Sequence, residues 1–261
     1  MTARLDGAGV VVTGGGGGIG AALARRLAGE GARLVLADLD GDAVTAVAEE
    51  VGGVAVVGDA ASEDGVRRLV ERARAELGEI DLYCANAGVA VHGGPETPED
   101  GWALSWEVNV MAHVRATREL LPAWLERGRG HFLATVSAAG LLTSLGSAPY
   151  SVTKHGALAF AEWLSATYRH RGITVQAVCP QGVRTKMLAD TGEEGEFIMG
   201  ATAIEPEDVA DTCLEALRDG RFLILPHPEI AGYYAARATQ NERWLGGMNK
   251  LQRKVEEQIA R

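Results

Sequence analysis

The sequence predicts an α/β fold, one doubly wound parallel sheet with helices on both faces, and three observations carry that expectation. Residues 10–38 read as strand, glycine turn, helix, strand: Val10-Val11-Val12, then Thr13-Gly14-Gly15-Gly16-Gly17-Gly18-Ile19-Gly20, then an alanine- and leucine-rich run, then Arg33-Leu34-Val35-Leu36-Ala37-Asp38. Short apolar runs go on alternating with amphipathic segments to about residue 225, a pattern that implies parallel strands joined by right-handed crossovers. Finally, 261 residues are ample for one sizeable core and short for two, and no repeat or low-complexity linker divides them, so residues 1–261 read as one domain.

Taken in order, Asp40-Gly41-Asp42 opens an amphipathic helix to Glu50, residues 54–57 make a short apolar strand, and Ser62 caps a charged helix ending near Leu77. Asp81-Leu82-Tyr83-Cys84 is the next strand. Thr97-Pro98-Glu99-Asp100 has the marks of a helix start, with a cap, a proline at the first helical position and acids in the first turn, and that helix runs to about Arg127. Residues 131–136 form a strand, 150–170 a helix and 174–178 another strand. Residues 185–205, rich in Gly and Glu, read as an irregular substrate loop long enough to be mobile over a site. Pro206 and the acids after it start a further helix, residues 222–225 close as the last strand, and the tail 226–261 is helical in pattern.

Composition narrows the function. A sequence pI of about 5.1 and a net charge of −10 count against nucleic acid or an anionic membrane as partner. Cys84, Cys179 and Cys213 are widely spaced, odd in number and without a C-x-x-C pair, which argues against a disulfide framework and a zinc cage and for small core residues in a reducing compartment. Residues 1–9 lack a charged region followed by an apolar one, and no apolar run reaches about 18 residues, so a cytoplasmic protein is expected. His113, His131 and His170 are scattered without ligand spacing and His155 points away from its neighbour Lys154, so no metal site is expected. Trp102, Trp106 and Trp124 read as core or interface packing, and Glu193-Glu194-Gly195-Glu196 as a solvated loop.

The glycine turn is where chemistry enters. Backbone N–H groups at a helix N-terminus, with no side chain in the way, form an anion site suited to phosphate. The acid Asp38, about 20 residues on, falls where it can accept hydrogen bonds from ribose hydroxyls and repel a 2′-phosphate. A Walker A loop is excluded, because Ala21-Ala22 rather than Lys and Ser/Thr follow Gly20. In such sheets ligands lie outside the carboxyl ends of the strands, which brings Asp59-Ala60, Asn86-Ala87-Gly88, Ser137 and residues 180–185 to the same crevice. Asn86-Ala87-Gly88 by itself is no more than a turn. Tyr150 and Lys154, four apart at a helix start, share one face of that helix.

Together, Thr13-Gly14-x-x-x-Gly18-Ile19-Gly20, Asn86-Ala87-Gly88, Ser137 and Tyr150-x-x-x-Lys154, in this order and over this length, resemble the short-chain dehydrogenase/reductase family from about Leu5 to Leu225. The resemblance implies a single Rossmann-type NAD(P)-binding domain and an oxidoreductase that interconverts a secondary alcohol and a ketone. It implies Tyr150 as acid/base, Lys154 holding the nicotinamide ribose and lowering the tyrosine pKa, Ser137 holding the substrate oxygen and Asn109 supporting a proton-relay water. For the cofactor it implies Gly14, Gly18, Ile19 and Gly20 at the phosphates, Asp38 and Leu39 with Asp59 and Ala60 on the adenosine side, Asn86, Ala87 and Gly88 at the central strand, and Pro180, Val183 and Thr185 at the nicotinamide. Two departures stand out: Pro180 is followed by Gln181 with the glycine displaced to Gly182, and Ala85 stands where a second Asn often precedes the triplet.

NAD is the expected cofactor, since no Lys or Arg lies in residues 13–20 and Leu39 rather than a base follows Asp38. A lysine ammonium near the phenol is expected to bring the tyrosine pKa down to about 7. Leu141, Leu142, Leu145, Met187, Leu188, Phe197, Ile198 and Met199 are candidate walls of an apolar substrate pocket. Helices near residues 102–125 and 152–168 are apolar on more than one face, which together with the resemblance points to a homodimer or homotetramer. Two other readings stay open. A methyltransferase also uses a glycine turn and an acid after the second strand, without accounting for Ser137, Tyr150 and Lys154; a non-catalytic dinucleotide sensor would keep the turn and Asp38 and need neither tyrosine nor lysine.

Overall fold

In a computed structural model that describes residues 5–259, seven parallel strands form one sheet in the order β3-β2-β1-β4-β5-β6-β7. Residues 1–4 and the last two residues of the tail lie outside the described residues, so the readings of residues 1–9 and 226–261 fall partly on them. The strands are β1 (Gly9–Thr13), β2 (Arg33–Asp38), β3 (Val54–Val57), β4 (Leu82–Ala85), β5 (Gly130–Thr135), β6 (Ile173–Val178) and β7 (Leu223–Ile224). The helices are α1 (Gly18–Gly29), α2 (Gly41–Val51), α3 (Glu63–Leu77), α4 (Glu99–Trp106), α5 (Ala112–Arg127), α6 (Ala148–Tyr168), α7 (Lys186–Ala189), α8 (Gly192–Met199), α9 (Pro206–Asp219), α10 (Glu229–Thr239) and α11 (Asn241–Ile259).

The alternation of side chains along each central strand builds two cores. Val10, Val12, Leu82 and Cys84 face α1, α2 and α9, while Val11, Tyr83 and Ala85 face α3, α5 and α6. Buried on both faces, these strands read as continuous apolar runs, as parallel sheets require. Trp124 shows how tightly the second layer closes: it is 1% exposed, donates from Nε1 to the Ile80 carbonyl at 2.7 Å, and its ring stands where a Cβ on Gly130 would be. Cys84, Cys179 and Cys213 are free and buried, as their spacing predicts. Among the described residues no helix is long and apolar enough to cross a membrane.

Asp40 and Ser62 cap α2 and α3 as expected, accepting from the N–H groups of Ala43 (3.0 Å) and Gly65 (3.2 Å). Three boundaries differ from the sequence reading. Pro98 is itself the extended residue before α4, and Thr97 donates to the His92 carbonyl instead of capping. The expected helix over 97–127 is interrupted by a π-helical turn, Glu107–Met111. The stretch 185–205 is not irregular but folds into α7, α8 and a 3₁₀ turn, Gly200–Thr202. Its Gly- and Glu-rich composition reads as loop, yet α8 gains a covering partner in α11, and tertiary cover outweighs weak local propensity.

Candidate active site

Between β1 and β4 the winding of the sheet reverses, since β2 and β3 lie on one side and β5 to β7 on the other. A crevice of about 520 Å³ opens at that switch point, outside the carboxyl ends of the strands. Gly14, Gly18 and Ile19 line it from the turn after β1, Asp38 from the end of β2, and Asn86, Ala87 and Gly88 from the end of β4.

The glycine turn fits a diphosphate. Gly14 and Gly18 take φ of +64° and +50°, and a Cβ on Gly20 would stand 1.9 Å from the Gly14 carbonyl oxygen, so α1 is pressed onto its own turn. No acid occupies the first turn of α1, and its first N–H groups have no intrahelical acceptor. Asp38 accepts from the N–H of Gly16 (2.9 Å) and of Asp40 (3.1 Å) through different oxygens, which leaves lone pairs on both for ribose hydroxyls. Asn86 ties the floor together. It donates from Nδ2 to the carbonyls of Thr13 (3.1 Å) and Gly14 (3.3 Å) and accepts from the Thr135 hydroxyl (3.0 Å), so one side chain bridges the ends of β1 and β5.

The second cluster sits on α6 and on the loop after β5. Pro149 starts α6 and places Tyr150 in the first turn with Lys154 one turn on. Ser137 is 9% exposed; its Oγ accepts from the Ala139 N–H at 3.1 Å and donates to the Pro180 carbonyl at 3.4 Å, and both it and Tyr150 line the crevice. The loop can approach α6 this closely because residue 140 is glycine: a Cβ there would stand 2.6 Å from the Lys154 carbonyl oxygen. Lys154 is buried, donates from Nζ to the Thr135 carbonyl at 3.0 Å and lies 5.5 Å from the centroid of the Tyr150 ring.

Burial governs the protonation of both groups. It pushes the Lys154 ammonium down from its usual range to about 8 and the Tyr150 phenol up, against the lowering effect of the neighbouring Ser137 hydroxyl. The expectation that the lysine alone brings the tyrosine to about 7 is therefore overturned. Its ammonium is directed at Thr135 rather than at the phenol oxygen, and desolvation dominates.

Other expected residues fall outside the crevice. Leu39 points into solvent, 75% exposed. Asp59 spends its carboxylate on the N–H groups of Ala61 (2.8 Å) and Ser62 (3.3 Å), and neither it nor Ala60 is among the crevice lining. The Asn109 side chain, fully buried in the π turn, bonds both main-chain groups of Val89 (3.0 and 2.9 Å) and the Thr153 hydroxyl (3.1 Å), so it positions the β4–α4 connection. Leu141 is a core residue and Phe197 is 46% exposed; Leu142, Leu145, Met187, Leu188, Ile198 and Met199 do line the crevice, and so does Glu194, for which the sequence predicts a solvated loop.

Pro180, Val183 and Thr185 line the crevice from the side of β6. Thr185 lies over the glycine turn, its Cγ2 2.9 Å from where a Cβ on Gly18 would be. The departure at Gln181 has a local explanation: its N–H is held by Nδ1 of buried His227 at 3.1 Å, while the other ring nitrogen meets the Thr202 carbonyl at 3.2 Å. That pattern requires the neutral imidazole with its proton on Nε2. The displaced glycine serves close packing, because a Cβ on Gly182 would stand 2.9 Å from the Met199 Cβ. His227, Ile230, Arg237, Met248 and Leu251 are the residues that sequence reasoning misses. The helical pattern of the tail is visible there, but nothing in it tells where the tail docks.

A model of the family described as short chain dehydrogenase matches residues 8–196. The chain is 39% identical over 229 residues to 1-deoxy-11-beta-hydroxypentalenate dehydrogenase of Streptomyces exfoliatus, covering 84% of this chain and 82% of that protein. It is 33% identical over 216 residues to meso-2,3-butanediol dehydrogenase of Serratia marcescens, covering 79% and 86%. A crystal structure of a short-chain dehydrogenase/reductase from Burkholderia phymatum in complex with NAD superposes with a TM-score of 0.86 at 27% identity, over 92% of this chain and 96% of that one.

Proposed function

The chain belongs to the short-chain dehydrogenase/reductase family, and on that premise we propose that this oxidoreductase interconverts an apolar secondary alcohol and its ketone, with NAD as hydride carrier and Tyr150 as acid/base. The observation that supports this most is that Ser137, Tyr150 and Lys154, the last one turn along α6, line one crevice together with the glycine turn and Asp38. NAD, when bound, supplies the hydride acceptor. Ser137 Oγ holds the substrate oxygen, and Tyr150 Oη takes the hydroxyl proton in oxidation and returns it in reduction. With its pKa at about 8, Lys154 is cationic at neutral pH, and a positive charge on the same face of α6 favours the phenolate and so acts against the desolvation that raises Tyr150. The test is turnover: purified protein with NAD and a panel of apolar secondary alcohols, read as NADH absorbance. No reduction of NAD by any of them would leave the non-catalytic sensor.

Gly14, Gly18 and the N-terminus of α1 would hold the diphosphate, Asp38 the adenosine ribose, Lys154 the nicotinamide ribose, and Val183 and Thr185 the nicotinamide side. Asp38 should select NAD over NADP, since a 2′-phosphate would bring negative charge against its carboxylate. We expect Asp38→Ala to lower kcat/KM with NAD by about tenfold to a hundredfold, as a lost pair of charge-assisted hydrogen bonds would, and to narrow the preference over NADP. Equal efficiency of the unaltered protein with both cofactors would contradict this role.

For assembly, the outward face of α4 and α6 supports a homodimer or homotetramer. Leu104, Trp106, Val152 and Trp163 are 50, 44, 50 and 54% exposed, and Val152 and Trp163, eleven residues apart, share one face of α6; exposed large apolar side chains of this kind mark an interface. A solution mass of at least two 27.4 kDa chains is expected at micromolar concentration; a strictly monomeric mass would refute it.

A further inference from the structure

The family match ends at residue 196, yet α10 and α11 carry the chain back to the crevice. We propose that α11 is a wall of the substrate pocket, with Met248 and Leu251 as specificity-determining residues that favour bulky apolar secondary alcohols over small ones. This rests on the dehydrogenase reading above.

Four observations carry it. Trp244, Met248, Leu251 and Val255 are spaced four, three and four apart, which lines them up on one face of α11, and all four are partly or fully buried, while Arg243, Asn249, Lys250 and Lys254 on the other faces are exposed. Met248 and Leu251 line the same crevice as Ser137 and Tyr150, joined by Ile230 of α10. α11 packs on α8, whose Ile198 and Met199 also line that crevice, so tail and substrate segment form one apolar enclosure. Finally, the tail is anchored to the catalytic elements. The Arg237 guanidinium donates to the Leu141 carbonyl at the end of the Ser137 loop and to Nε2 of His155, beside Lys154, at 2.9 Å, and lies 5.4 Å from the centroid of the Trp244 ring. On this proposal a small alcohol held at Ser137 and Tyr150 would leave Met248 and Leu251 uncovered, and a bicyclic one would reach them along the shared crevice. Methionine adapts its shape to such a ligand.

The test compares trans-1-decalol with butan-2-ol as substrates of the full-length protein with NAD, and measures binding of trans-1-decalone to the NADH-loaded protein by calorimetry. In Met248→Ala/Leu251→Ala, the kcat/KM ratio of decalol to butan-2-ol should fall about tenfold, carried by KM, and decalone affinity should weaken by a similar factor, as expected when several methylene groups of the ligand stay exposed to water instead of being buried. Arg237→Met, which keeps the lining but frees its anchor, should move both readouts the same way, as should Met248→Trp, which fills the space. The inference is overturned if the unaltered protein binds decalone no more tightly than butan-2-one, or if the variants leave ratio and affinity unchanged. Decalone binding that depends on α11, with no alcohol turned over, would instead sink the dehydrogenase reading and leave the wall standing.

Discussion

Tyr150→Phe is expected to abolish turnover while cofactor binding persists. The exchange removes one oxygen and keeps the ring, so the packing of Lys154, 5.5 Å from the ring centroid, is retained and no cavity opens. What goes is the hydroxyl that would pass the proton. Ser137 cannot replace it, because a serine hydroxyl is a far weaker acid than a phenol. Loss of a positioned acid/base costs about 10²- to 10⁴-fold in rate. Tyr150 is only partly buried and lines the crevice, so the removal of its hydroxyl should change stability by no more than about 1 kcal/mol. Stopped or steady-state kinetics would report kcat, and quenching of protein fluorescence by NADH would report binding. Near-normal activity with the protein's own substrate would sink the assignment of Tyr150.

What is legible in the sequence is what local chemistry decides. The glycine turn can be read because a strand precedes it and a helix follows it, and the close approach it allows is local: a Cβ on Gly20 would stand 1.9 Å from the Gly14 carbonyl oxygen. Asp38 and Asn86 can be read because they follow strands, and in a doubly wound sheet the strand ends converge on one crevice. The parts that escape depend on neighbours distant in the chain. The π turn at Glu107–Met111 has no sequence mark, since Asn109 there bonds Val89 and Thr153, 20 and 44 residues away. α8 looks like a loop until α11, some fifty residues on, covers it. The pKa of Tyr150 escapes for a related reason: spacing along a helix brings Lys154 near but does not say which acceptor its ammonium chooses, and it chooses Thr135.

Lys154→Met should make the protein more stable and a poorer enzyme at once. Burial lowers the Lys154 pKa from 10.5 to about 8, so below pH 8 the folded state holds an ammonium that the unfolded state holds more favourably. At about 1.4 kcal/mol per pKa unit this penalty is on the order of 3 kcal/mol. Methionine removes it, at the loss of one hydrogen bond to the Thr135 carbonyl, worth about 1 kcal/mol. A net gain of roughly 1–2 kcal/mol follows, or a melting temperature higher by about 3–6 °C for a chain of this size. The sign of the pH dependence is fixed by the same shift. As pH rises from about 8 towards 10.5 the unfolded lysine loses its proton too, the penalty on the unaltered protein disappears, and the melting difference between the two proteins should shrink to nothing or reverse. Taking the difference cancels the other titrating groups, including the buried thiols, which are common to both. Activity should move the opposite way. Without the cation, NADH affinity should fall about tenfold, and the basic limb of the alcohol-oxidation profile should move to higher pH, because nothing then offsets the desolvation that raises Tyr150. If the variant melted lower than the unaltered protein at pH 7, the buried ammonium would not be the cost that its position implies. If it melted higher but kept its oxidation profile, Lys154 would be a structural cation and not a partner of Tyr150.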